Sequence, residues 1–186
     1  MYHNLGGLEH ARGRFAEGEP YARRAVELRE SVLGPDDPDV AADVAALAGL
    51  LAGQGRHDEA EALHGRALDI FEGRFGANHY ECSVSLNNLG AIAQERGDYA
   101  KADEYYGRSV TIKEAALGPD HPEVATTLNN LAMLREQQGE FASAAALFNR
   151  ALRILEAALP SDHGHMAACR QSYARVLRHI PAASIA

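Results

Sequence analysis

No apolar run in this 186-residue chain approaches the roughly 18 residues that a membrane span requires. A place in the membrane is therefore not expected. The first residues, Met1-Tyr2-His3-Asn4, lack the basic region and apolar core of a signal peptide. Cysteine is scarce as well: Cys82 and Cys169 stand far apart and make no disulfide framework, which points to a reducing cytoplasm. Lysine is nearly missing, since the 18 basic residues are 16 Arg plus Lys101 and Lys113. Set against 26 Asp and Glu, these leave a formal charge of −8. That balance argues against nucleic acid as the main partner, because phosphate binding needs clustered Lys and Arg. The arginine bias, with abundant Ala and Gly, is the one expected of a GC-rich, bacterial gene. The chain does not lack apolar residues, and 46% of it is hydrophobic. A chain of this length and composition buries a sizeable core and is not disordered.

Internal repetition is the strongest feature that is present. Leu117-Gly118-Pro119-Asp120-His121-Pro122-Glu123 echoes Leu33-Gly34-Pro35-Asp36-Asp37-Pro38-Asp39, 84 residues earlier. A degenerate copy, Phe75-Gly76-Ala77-Asn78-His79-Tyr80-Glu81, lies halfway between, and another starts at Leu159, so the period is 42. Cutting at that period gives three full repeats, 40–81, 82–123 and 124–165, preceded by a partial one at 1–39 and followed by a capping helix and tail at 166–186. The second and third full repeats agree at 15 of 42 positions, which makes a single array the expected organisation.

Each repeat reads as two helices. In the second, Leu86, Leu89, Gly90 and Ala93 recur at helical spacing until Gly97-Asp98 breaks the run. A further run through Ala102, Tyr106, Ser109, Val110, Ile112 and Leu117 ends at Gly118-Pro119, where Gly suits a left-handed turn and Pro cannot continue a helix. Pro38 and Pro122 sit where a first helical residue tolerates proline. Gly13, Gly55, Gly97 and Gly139 mark the hairpin turn of every repeat.

Gly97-Asp98-Tyr99-Ala100-Lys101-Ala102, with Leu89-Gly90 before it, resembles the tetratricopeptide repeat. The spacing of 42, the Leu86-Asn87-Asn88-Leu89 and Leu128-Asn129-Asn130-Leu131 pairs and the Gly-Pro-Asp-His-Pro connector are similar to the kinesin light chain variety. The resemblance implies an all-α fold, a right-handed superhelix of antiparallel hairpins with a long second helix in each. It also implies a concave groove lined by the first helices. The groove-facing positions would be Val84, Asn87, Ala91, Gln94 and Glu95 in one repeat and Thr126, Asn129, Met133, Glu136 and Gln137 in the next. Asn88 and Asn130 would point toward the stack. The first full repeat would present Ala42, Ala45, Gly49, Ala52 and Gly53, a small-residue floor open to a bulky apolar side chain. Gln171, Arg175, Arg178 and His179 would close the groove at its far end. Asn87 and Asn129 suit the backbone of an extended peptide, since each amide both donates and accepts.

Other candidates have a plainer place in the repeat. His57, Glu61 and His64 share a helix face at metal-ligand spacing, but His57 aligns with Phe15, Tyr99 and Phe141, and His64 with Tyr106 and Phe148. We read both as packing positions. His79, His121 and His163 share one connector position, and His163-Gly164-His165 has no carboxylate or cysteine cluster beside it. Gly49, Gly53 and Gly55 follow no strand and do not form a phosphate loop. No cofactor, metal or active site is expected. The function expected is a non-catalytic scaffold that binds an extended, acidic and aromatic peptide. The alternative is an assembly module, a homodimer through terminal helices that expose Leu5, Leu8, Tyr173 and Leu177.

Overall fold

The computed structural model describes residues 1–158 and 164–180, and among them it holds nine helices and no strand. In chain order these are α1 (Tyr2–Ala11), α2 (Phe15–Leu33), α3 (Pro38–Gly53), α4 (His57–Phe75), α5 (Tyr80–Glu95), α6 (Tyr99–Leu117), α7 (Pro122–Gln137), α8 (Phe141–Ala158) and α9 (Gly164–Leu177). The first helices α3, α5 and α7 run 16 residues each, while the second helices α2, α4 and α6 run 19. The second helix is the longer, as the resemblance implies.

Glycine fixes the breaks. Gly13, Gly55, Gly97 and Gly139 turn each hairpin at φ between 71° and 79°, a region that a side chain rarely enters. Gly34, Gly76 and Gly118 end the second helices in the same region. Each next helix then needs an N-cap. Asp37 supplies one, its carboxylate accepting from the Asp39 N–H. His79 and His121 stand at the same register, and their Nδ1 atoms accept from the Glu81 and Glu123 N–H groups. These histidines are caps, which the connector reading did not assign. His163 lies outside the described residues, and nothing is described of the His165 side chain.

The chain divides into two compact units, Met1–Ile92 and Ala93–Ala186. In the first, α2 packs on α1 and α3, and α3 packs on α4 and α1. In the second, α7 packs on α6, α8 and α9, and α8 packs on α9. Alanine is fully buried at matching positions of the two units: Ala41, Ala48, Ala60 and Ala67 in one, Ala125, Ala132, Ala144 and Ala151 in the other. A branched side chain at these positions would push the helix axes apart. Glu19 of α2 joins α2 to α4 by pairing with Arg56 at 2.7 Å. Burial pushes its carboxyl up, but hydrogen bonds from Gln54, Arg23 and Arg56 outweigh that and hold it down at about 2.

Candidate functional site

Two clefts open on the faces of the first helices, one in each unit, and they occupy the same register. The larger, about 350 Å³, is lined from α1, α3, α4 and α5. The smaller, about 260 Å³, is lined from α7, α8 and α9. Ala42, Ala45, Ala46, Gly49, Phe71 and Ser85 in the first become Thr126, Asn129, Asn130, Met133, Leu155 and Cys169 in the second, each 84 residues on. The difference in size follows from these exchanges, since Met133 fills space that Gly49 leaves empty.

Several residues expected to line a groove stand in these clefts. Gly49 walls the first, and a β-carbon added there would meet only the His10 ring, at 3.4 Å. Asn129 and Met133 line the second. Asn88 and Asn130, expected to face the stack, line the first and second respectively. Asn87 is partly buried on α5, is engaged by an interaction of its own, and lines neither cleft. Gly53 does not belong to an open floor. The Phe15 ring lies so close over it that a β-carbon would come within 2.5 Å, so the chain itself supplies the bulky ring there.

The polar end of α7 is occupied from within. The Gln94 amide donates to Gln137 Oε1 at 2.9 Å, and Gln94 Oε1 accepts from the Tyr106 hydroxyl at 2.9 Å. Arg175 grips Glu136 with two bonds of 2.6 and 2.7 Å, and those bonds hold the Glu136 carboxyl below the usual range. His179 stacks on Phe141, ring centroids 4.5 Å apart. Gln171 and Arg178 are exposed. Tyr173 and Leu177, expected to form an apolar edge, pack against the core cluster that includes Phe148 and Val176.

One position at the base of the clefts varies in a way that sequence reading missed. It is Asp43 on α3, Ser85 on α5, Thr127 on α7 and Cys169 on α9, all buried. The residue 14 positions earlier, on the preceding second helix, faces it in two repeats. Arg29 Nε pairs with Asp43 at 3.2 Å, and Lys113 Nζ donates to Thr127 Oγ1 at 3.1 Å. The counterparts of these cations are Phe71 and Leu155, which line the two open clefts. An own-chain cation thus stands in the slot twice, with a cleft still open beside Arg29 and Asp43, and an apolar residue stands there twice. The constant offset with opposed character, Arg to Asp and Lys to Thr, was the available signal.

The regular register of hairpins, glycine turns and alanine crossings agrees with a family model described as tetratricopeptide repeat, which matches residues 1–73, 41–115 and 81–157. The chain belongs to the tetratricopeptide repeat family. Among solved structures, BtubC (BKLC) from P. vanneervenii superposes with a TM-score of 0.81 at 24% identity, over 94% of this chain and 70% of its own. A candidate kinesin light chain from Podosopora anserina, with nearly identical TPR-like repeats, superposes at 0.76 with 22% identity, over 96% and 84% of the two chains. At such identities the likeness is one of fold, that of a tetratricopeptide stack, and the spacing of 42 in this chain resembles that of kinesin light chain repeats. Comparison with curated proteins finds no match.

Tetratricopeptide packing also accounts for His57 and His64, read from the sequence as packing positions. His64 is 1% exposed inside α4, with no hydrogen bond to either ring nitrogen, and burial pushes its pKa down to about 4. Tyr106, one repeat later, reaches Gln94, but the residue matching Gln94 is Ala52, so His64 has no amide to meet. His57 opens α4 at the ring position of the repeat. Among the described residues no three His, Cys, Asp or Glu gather around a common point. The Cys169 thiol is pushed up to about 11 by burial, which keeps it protonated at neutral pH. No described helix is long and apolar enough to cross a membrane.

Proposed function

We propose that this chain is a non-catalytic scaffold that binds an extended segment of a partner protein on the faces of its first helices. Tetratricopeptide repeats are interaction scaffolds. The observation that carries the finer reading is the recurrence of a cleft at one register, on the helices the resemblance assigns to a groove. In the C-terminal unit, Asn129 offers an amide to a peptide backbone, and Met133 offers a deformable apolar wall. Arg178 is exposed near the end of α9, and Arg175 beside it is a planar fork held by an internal carboxylate. A peptide carboxylate would exchange with Glu136 on that fork, so an acidic segment with an aromatic residue is the ligand we assign. Two free cysteines, both buried, suit a reducing cytoplasm.

Calorimetry with a panel of acidic aromatic peptides tests this reading. Asn129→Ala is expected to weaken binding by about 1 kcal/mol for each hydrogen bond lost, whereas Asn87→Ala, at a residue that lines neither cleft, should leave it unchanged. Arg178→Ala should weaken it and flatten its salt dependence, while Glu136→Gln, which frees Arg175, should strengthen it. Affinity equal to the parent's across Asn129→Ala, Arg175→Ala and Arg178→Ala would remove the groove as the site.

A second reading, self-association, has its own observation. Met1, Leu8, Tyr21, Leu28, Val32 and Leu33, all exposed, lie on or beside α1 and α2. That is an apolar surface of the kind that marks interfaces.

A further inference from the structure

The cleft on α1, α3 and α5 carries an unmet demand for a cation. In two other repeats the same slot is filled from within. Arg29 donates to the Asp39 carbonyl at 3.0 Å and pairs with Asp43. Lys113 donates to Thr127, with the Glu123 carbonyl 3.5 Å and its carboxylate 3.9 Å away. The residues at these acceptor positions in the middle slot are Glu81 and Ser85, and both line the cleft. Where the cation should stand, the chain has Phe71, which cannot donate.

The consequences are visible. Ser85 is 0% exposed, and its hydroxyl has no hydrogen-bond partner. A buried hydroxyl without a partner costs stability, so its retention calls for an explanation. No Lys or Arg lines this cleft, and the Glu81 carboxylate on it has no ion-pair partner among the described residues. The surrounding unit is acidic, with 15 Asp and Glu against 8 Arg in residues 1–92, compared with 11 against 10 basic residues in 93–186.

We propose that this cleft receives an arginine side chain from a partner protein, which supplies the cation that Phe71 replaced. Resting on the peptide-binding reading, it names what the bound segment carries at this end. The methylene stem of arginine lies along Ala42, Ala45 and Ala46, and its guanidinium plane packs on Phe71. Its several N–H donors reach Glu81 directly and Ser85 after rotation of the hydroxyl about its single torsion. Arginine is favoured over lysine because a planar fork serves separated acceptors and stacks on a ring, whereas an ammonium does neither as well.

Fluorescence anisotropy on the full chain tests this with a labelled decapeptide of Ala and Ser around one central arginine. Twin peptides carry citrulline, lysine or glutamate there. Arginine should bind best, and citrulline, its neutral isostere, at least about tenfold more weakly. Gly49→Met, which installs the side chain of the smaller cleft, should abolish binding. Glu81→Gln should weaken binding about tenfold and reduce its salt dependence. Ser85→Ala should weaken binding several-fold while raising the melting temperature of the free protein, an outcome that a structural role for Ser85 would reverse. Equal binding of arginine and citrulline peptides overturns the proposal, as does unchanged affinity in Gly49→Met and Glu81→Gln variants that melt like the parent. If acidic aromatic peptides bind but the arginine peptide does not, this inference fails alone. If neither class binds, the peptide-binding reading fails with it.

Discussion

A single buried imidazole makes the most direct residue-scale prediction. His64 takes a proton near its ordinary value of 6.5 when unfolded, but only at about 4 when folded. Between those values the unfolded chain binds the extra proton, so stability is full above pH 6.5 and falls as pH drops toward 4. The loss should reach up to about 3 kcal/mol, the worth of a shift of that size. Replacing His64 with Phe, the residue that stands at this position as Phe148, should raise stability and remove that part of the pH dependence. Urea unfolding at pH 7.5 and pH 4.5 measures both, and a His64→Phe variant with the parent's pH slope would refute the assignment. The repeat register made this position legible as packing. It did not show that the missing partner is Ala52, because Tyr106 and Gln94 meet across a helix pair only in the fold.

At the scale of helices, the breaks were legible and the fillings were not. Gly and Pro act on their own backbone, so Gly55, Gly97 and Pro122 announce helix ends to a reader of sequence alone. The slot residues act on a helix 14 positions away, and a period of 42 conceals their pairing because it changes from repeat to repeat. Gly53 misled for a similar reason: a glycine reads as open space until Phe15 is seen lying on it. The pair Arg29 and Asp43 also has a mechanical role. Asp43 accepts from His3 of α1 at 2.5 Å and forms an ion pair with Arg29 of α2 at 3.2 Å, so one buried carboxylate holds three helices together. Asp43→Ala should cost about 1 kcal/mol, the net worth of the hydrogen bond it removes, because His3 and Arg29 are exposed enough to turn to water. Amide exchange should accelerate across α1 while α7 stays protected. Uniform acceleration over both helices would show that Asp43 stabilises the whole chain and not the docking of α1.

For the whole molecule, charge and apolar surface point the same way, toward partners at the N-terminal unit. Acid is concentrated there, and so are six exposed apolar residues on or beside α1 and α2. If that surface joins two copies, light scattering should give twice the mass of 20.0 kDa, and Val32→Glu should return it to the single-chain value. A monomer at all concentrations would leave the surface to a different protein. Val32 suits this test because it is 79% exposed, so a charge there leaves the packing of α2 on α3 intact.

The alternation of filled and empty slots separates architecture from reception. Helix boundaries, turns and alanine crossings repeat without regard to what stands at positions 29, 71, 113 and 155. A cation there is a brace, and an apolar residue is a doorway. One codon on the second helix therefore converts a strut into a receptor, while the acceptors on the next first helix are already in place. A stack built this way carries dormant binding sites in its own supports, and acquiring a new partner requires only that one support be withdrawn.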